Sequence, residues 1–210
     1  MENLHYAAAA LRHLRRRDVT LRPVLSKVGP FALELEESPF GTLVSAIISQ
    51  QVSTSAAAAI ERRLVQRVAP RRVTPKNLLA LSLGELRTVG LSRAKATYMH
   101  DLAAKVHSGV VPLRRLHAED DETVIEQLTH VKGIGRWTAE MFLIFSLGRP
   151  DVLPVDDFGL RAAIKLLDGM PELPTRAEVR ARATIWQPYR TVGTWYLWQN
   201  LKLQRKSVEA

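Results

Sequence analysis

A chain of 210 residues that is 46% hydrophobic holds enough apolar surface for one sizeable globular unit or two small lobes, which excludes disorder as its ordinary state. Thirty Lys plus Arg against 21 Asp plus Glu leave a net charge of +9 and a pI near 10.2, a balance that favours polyanionic partners. With no cysteine there is no disulfide and no thiolate-held metal or iron–sulfur cluster, and no apolar run approaches a membrane span or a secretory leader, so the expected location is the cytoplasm.

Alternating strand patterns are scarce, and the fold class expected is all-α. Leu4 to Arg17 reads as a basic amphipathic helix suited to packing on a neighbour, and Val19 to Val28 as a second helix ended by Gly29-Pro30. Glu34, Glu36 and Glu37 mark a solvated connection. Ser38 then caps a helix with Pro39 in its first turn. The stretch Phe40 to Val68 is apolar on one face but is broken by the polar cluster Ser49 to Ser55. After the basic, turn-rich connector Pro70 to Pro75, a helix opens at Thr74 or Pro75, and Ser82 caps another. Val89-Gly-Leu-Ser92 forms a tight turn before a helix running to Val106. Its Arg93 and Lys95 suit phosphate contact or a solvated face equally well. Asp120 or Asp121 caps a helix that ends at Leu128.

There the chain reads Val131-Lys-Gly-Ile-Gly-Arg136, straight into a second apolar helix from Arg136 to Leu147. Gly133 and Gly135 fall where the backbone reverses between helices and where a Cβ would block left-handed φ or close approach. The first amides of the second helix, with Lys132 and Arg136 beside them, offer an anion site of the kind a phosphate occupies, a grip without base readout. The carbonyls of His130, Val131 and Gly133 offer a place for a bridging monovalent cation, Na+ or K+. An ordinary helical turn is the competing reading of the two glycines alone. Next come adjacent acids, Asp156 and Asp157, at the start of another apolar-periodic helix. A cap explains one carboxylate and leaves the second to stabilise a cation or orient a water. Trp186, Tyr189, Trp195, Tyr196 and Trp198 crowd the C-terminal stretch, as core packing or as faces on which a base can stack.

Four segments, Ile47 to Ser53, Val89 to Ala96, Val131 to Ala139 and Leu153 to Asp157, together resemble the helix-hairpin-helix superfamily of DNA glycosylases. The match is to its alkylation-repair branch, the bacterial 3-methyladenine DNA glycosylase II type, and the segments come in the family's order. The resemblance implies a two-lobed helical fold with the active-site cleft between the lobes. One lobe would comprise residues 1–38 plus about 150–210, and a central lobe, 39–149, would carry the hairpin at about 124–147. It implies DNA contacts at Gln50, Gln51, Val131, Lys132, Gly133, Ile134, Gly135, Arg136 and Thr138. Gln51, with Gln50 beside it, would be the wedge filling the space of an extruded nucleotide, where the bacterial relative has an apolar residue. Trp137 and Trp198 would be pocket rings, with Trp195, Tyr189 and Met141 nearby; Met141 stands where that relative has a Tyr. Bifunctional members carry a Lys at the position of Trp137, so strand cleavage through a Schiff base is not expected. The catalytic carboxylate would be Asp157, with Asp156 capping the helix, or the reverse.

The implied activity is release of 3-methyladenine and 7-methylguanine from double-stranded DNA by a monomeric enzyme, leaving an abasic site. The implied chain lacks the relative's β-rich N-terminal domain and the iron–sulfur cluster of some members. Two alternatives stand beside it: a non-catalytic helix-hairpin-helix module that grips DNA, and a glycosylase for mismatched or oxidised bases.

Overall fold

The computed structural model describes residues 4–209, and among them it is helical throughout, with no strand. In chain order the helices are α1 (Ala7–Arg17), α2 (Arg22–Val28), α3 (Pro39–Ser49), α4 (Thr54–Val68), α5 (Pro75–Leu79), α6 (Leu83–Thr88), α7 (Arg93–His107), α8 (Asp121–Thr129), α9 (Arg136–Phe145), α10 (Phe158–Asp168), α11 (Arg176–Ala183) and α12 (Arg190–Glu209). The chain divides into two compact units, a terminal unit of Met1–Leu35 with Gly148–Ala210 and a central unit of Glu36–Leu147.

Local chemistry sets most helix starts in the central unit. Ser38, Ser53, Thr74, Ser82, Ser92 and Asp120 each accept a hydrogen bond from a first-turn amide, and Ser82 with Glu85 completes a capping box. The core is built from the apolar faces of α3 (Leu43, Val44, Ile47, Ile48), α7 (Ala96, Met99, Leu102, Ala103) and α9 (Ala139, Phe142, Leu143), all buried. Helix α3 packs on both α7 and α9, while α8 packs on α9. That arrangement places the turn after α3, the start of α7 and the α8–α9 hairpin in one assembly.

In the terminal unit α12 packs against α10, α2 and α1. Most of the C-terminal aromatic cluster is core. Trp186 and Tyr196 are fully buried, and Trp195 lies edge-on to both Phe31 and Tyr196 at 5.0 Å between ring centroids. The second helix starts at Arg22, later than the apolar pattern suggests. The cause is Asp18, which accepts from the Leu21 amide at 3.1 Å and from the Thr20 hydroxyl at 2.8 Å and so folds residues 18–21 into a turn. Asp18 is buried and also meets Arg182 and the Trp186 indole N–H, each at 2.7 Å. Burial alone would raise this carboxyl, but its bonds to Arg182, Trp186 and Thr20 bring it below the usual carboxylate range. Among the described residues no helix is long and apolar enough to cross a membrane.

Candidate active site

Either member of the acid pair was offered as the cap, and the structure gives it to Asp157, the residue also expected to be catalytic. Asp157, not Asp156, caps α10, accepting from the Leu160 amide at 2.6 Å through Oδ1. The same oxygen accepts from the Trp198 indole N–H at 2.8 Å. Asp156 is exposed and pairs with Arg176 at the start of α11. Two adjacent acids are equivalent in local sequence, and the choice between them is made by α12, which delivers Trp198. Gly159 permits this meeting, because a Cβ there would sit 3.1 Å from Asp157 Oδ1 and 3.4 Å from the indole.

The loop leading to Asp157 is clamped to the start of α12. Arg190 donates through its amide, Nε and Nη2 to the Asp151 carboxylate at 2.8–3.0 Å, and through Nη2 to the Asp151 carbonyl at 2.9 Å. The Thr191 hydroxyl donates to the Arg149 carbonyl at 2.7 Å and accepts from the Val152 amide at 2.9 Å. Val152, Leu153 and Val155 are buried behind this clamp, and the Asp157 amide closes a turn onto the Pro154 carbonyl at 2.9 Å. A half-buried carboxylate whose Oδ1 accepts both a helix amide and an indole N–H thus stands next to Phe158, a residue 63% exposed. Phe158 and Gly159 escaped the sequence reading. An aromatic directly after the acid pair was the available signal for Phe158, while the tight spot at Gly159 is set by the capping carboxylate of Asp157, with the Trp198 ring in ordinary contact beyond it. Of the other expected rings, Trp195 is a core residue by its burial and packing, a correction to its place among pocket rings. Tyr189 is half-buried and edge-on to His13 of α1 at 5.5 Å.

In the central unit the two glycines of the hairpin do different work. Gly133 has φ +80, and a Cβ there would overlap the Tyr98 ring of α7. Gly135 has φ −97 and ψ 175, an extended conformation open to any residue, and a Cβ there would meet no atom within 4 Å. Gly135 also gives α9 no capping side chain, and the first amides of a helix have no intrahelical acceptor, so the start of α9 is approachable by an anion. The hairpin is braced from α7. Asp101 accepts from the Lys132 amide at 2.8 Å and from Lys105 at 2.7 Å. Burial would raise the Asp101 carboxyl, but these partners hold it below the ordinary range.

Several expected DNA contacts are redefined by this packing. The side chains of Val131, Ile134 and Thr138 are buried, so only their main chain can face a ligand. Lys132 is exposed, whereas Arg136 forks onto Glu122 at 2.5 and 2.9 Å and reaches Glu140 at 3.1 Å, tying α9 to α8. Trp137 is 44% exposed and Met141 half-buried on α9. Lys95 is neither a solvated face nor a phosphate contact. It is buried, and its ammonium donates to the Ile48 carbonyl at 2.7 Å and the Gln50 carbonyl at 2.5 Å. Gln50 donates through Nε2 to the Gly133 carbonyl at 2.8 Å, while Gln51 is exposed.

The three carbonyls expected to hold a monovalent cation each already accept one hydrogen bond. The His130 carbonyl accepts the Lys105 ammonium at 2.6 Å, the Gly133 carbonyl accepts Gln50, and the Val131 carbonyl accepts the Ile134 amide at 3.1 Å. An ammonium already at His130 would repel a second cation. Among the described residues no group of three or more His, Cys, Asp or Glu side chains could hold a metal ion.

Residues 44–188 match the family described as HhH-GPD superfamily base excision DNA repair protein, and the chain belongs to that superfamily. It is 36% identical over 198 residues to DNA-3-methyladenine glycosylase 1 of Schizosaccharomyces pombe, an alignment covering 91% of this chain and 86% of that protein. The crystal structure of a DNA-3-methyladenine glycosidase from Bacillus halodurans is 36% identical with a TM-score of 0.87, covering 98% of this chain and 95% of that one. A 3-methyladenine DNA glycosylase of Schizosaccharomyces pombe in complex with abasic DNA is 34% identical with a TM-score of 0.82, covering 92% and 97% of the two chains.

Proposed function

We propose that this protein is a monofunctional DNA-3-methyladenine glycosylase that binds double-stranded DNA, takes up a flipped nucleotide and hydrolyses its N-glycosidic bond. The observation that carries the reading is Asp157, a carboxylate held at the start of α10 by the Trp198 indole, in a chain similar to proteins named for that activity. In a purine alkylated at N3 or N7 the base already carries positive charge. As the bond from C1′ breaks, its electron pair leaves with the base, which departs neutral, and positive charge develops on the sugar. Asp157 stabilises that charge. Water then adds its oxygen to C1′ and gives up a proton, leaving an abasic site. No general acid is required for such a leaving group.

A cationic base is also attracted to aromatic faces. Trp198 and the exposed Phe158 supply such faces beside Asp157. Trp137 has no amine with which to form a Schiff base, which supports hydrolysis without strand cleavage. The net charge of +9 and the start of α9, with Lys132 beside it, suit backbone phosphates.

Incubation with duplexes containing 3-methyladenine, 7-methylguanine, uracil or 8-oxoguanine, followed by alkali cleavage of abasic sites, tests the reading. Release from the two methylated duplexes, with strand breaks only after alkali, is expected. Release confined to uracil or 8-oxoguanine would overturn the substrate class. Binding without release from any duplex would leave a non-catalytic DNA-gripping module.

A further inference from the structure

The turn between α3 and α4 contains the only non-glycine residue with positive φ among the described residues, Gln51 at φ +56. An L residue with a Cβ pays a steric penalty there and keeps that conformation only when its surroundings impose it. Gln51 itself is exposed, as are Val52 and Ser53 after it, so the constraint does not come from packing of its own side chain. It comes from the residue before it. The Gln50 carbonyl is held by Lys95 Nζ at 2.5 Å, and the Gln50 side chain is held by the Gly133 carbonyl at 2.8 Å. The Lys95 ammonium also takes the Ile48 carbonyl at 2.7 Å, so it caps the negative end of α3. Burial lowers the affinity of Lys95 for its proton, and two main-chain carbonyls are its acceptors. The placement is unusual in a second respect, since Lys95 lies in the first turn of α7, where a helix disfavours positive charge. A lysine set there and buried to 9% exposure is there for what its ammonium touches.

We propose that Lys95 is a positioning residue: by gripping the last carbonyls of α3 it holds Gln51 in the left-handed conformation, presenting the Gln51 side chain rigidly beside the hairpin. The Gln50 to Gly133 bond makes turn and hairpin one surface, so a duplex gripped at the start of α9 meets a wedge already set. The inference rests on the glycosylase reading for its substrate, and its test includes a probe that needs no bond cleavage.

That probe is a duplex with 2-aminopurine opposite a tetrahydrofuran abasic analogue, whose fluorescence reports unstacking of the orphaned base. It is read with the full chain, alongside duplex affinity, thermal unfolding and single-turnover release from a 7-methylguanine duplex. Lys95→Met is expected to keep affinity within about twofold and to unfold cooperatively. It should lose the fluorescence change and slow release roughly tenfold, the population shift that backbone strain of this kind produces. Gln51→Ala should show the same losses, and the double variant should be no worse than the poorer single one. Unaltered fluorescence in Lys95→Met, or losses that multiply in the double variant, would overturn the proposal. So would a Lys95→Met protein whose duplex affinity falls together with its melting temperature, the mark of a core brace. If Lys95→Met does not fold, Gln51→Val and Gln51→Asn decide, because a β-branched residue resists left-handed φ and Asn accepts it. Asn should keep the signal and Val lose it, and retention by Val would overturn the proposal. A wild-type chain that gives the fluorescence change but no base release would refute the glycosylase reading alone. Release by the wild type with an indistinguishable Lys95→Met would refute this inference alone.

Discussion

The two hairpin glycines make opposite predictions for one substitution. Gly133→Ala places a methyl at φ +80 and inside the Tyr98 ring. Left-handed backbone costs an alanine about 1–2 kcal/mol, and displacing a packed ring costs about 1–3 kcal/mol more, for a total of about 2–5 kcal/mol. Removing the ring separates the two parts: in a Tyr98→Ala background the same change should cost only the backbone share, about 1–2 kcal/mol. Gly135→Ala places its methyl in open space on an extended backbone. The reduced freedom of the unfolded chain and the poorer capping by Ala offset each other, and stability should move by less than about 0.5 kcal/mol. Duplex affinity should fall nonetheless, because that methyl stands where a phosphate would approach the α9 amides. Urea denaturation of the four variants gives the stabilities, and fluorescence anisotropy with a labelled duplex gives affinity. Equal destabilisation by the two alanines, or unchanged duplex affinity in Gly135→Ala, would refute the division of roles.

Asp18→Asn takes one buried carboxylate from Arg182, which keeps Asp168 at 2.7 Å, and replaces the charged acceptor of the Trp186 indole, and should cost about 1–3 kcal/mol in chemical denaturation. Because the folded Asp18 carboxyl lies below its unfolded value, near 3.9, its contribution is present above that value. It is lost as pH falls through the lower folded value, so the stability gap between wild type and Asp18→Asn should narrow on acidification. A gap that widens toward acid would contradict the assignment. Trp198→Phe keeps a ring but removes the N–H that holds Asp157 Oδ1, and should slow single-turnover base release roughly tenfold, the worth of about one hydrogen bond to a charged group. Thermal unfolding of the variant should change little, since Trp198 is only half-buried.

Much of this molecule was legible in its sequence because caps and hairpins are local devices. Ser38 and Ser82 each begin the helix their chemistry announced, and Asp120, of the two acids offered, caps α8. The break at residues 49–55 and the Gly-Ile-Gly hairpin stand where polarity and glycine spacing put them. The errors share a cause, which is that partners distant in sequence overrode the local pattern. Asp157 took the cap because α12 brought Trp198 to it, and Asp156 turned to Arg176. Asp18 was drawn into a buried set with Arg182 and Trp186 and shortened α2 from its start. Lys95, which suited a phosphate contact or a solvated face equally well, is buried with its ammonium on the last carbonyls of α3, and Arg136 is forked onto Glu122. The two glycines of the hairpin were given one reason when the structure has two. Nothing in Lys-Gly-Ile-Gly distinguishes a glycine required by a neighbouring ring from one that leaves a surface open, and Tyr98 lies 35 residues upstream of Gly133.

The central claim is that the charge of Asp157 carries the sugar through bond cleavage. Asp157→Asn tests it most directly, because an amide oxygen of the same shape can still accept from the Leu160 amide and the Trp198 indole. Single-turnover release of 7-methylguanine from duplex DNA should fall by roughly a hundred- to a thousandfold or more, with duplex affinity and melting temperature close to wild type. Release by Asp157→Asn at the wild-type rate would contradict the account.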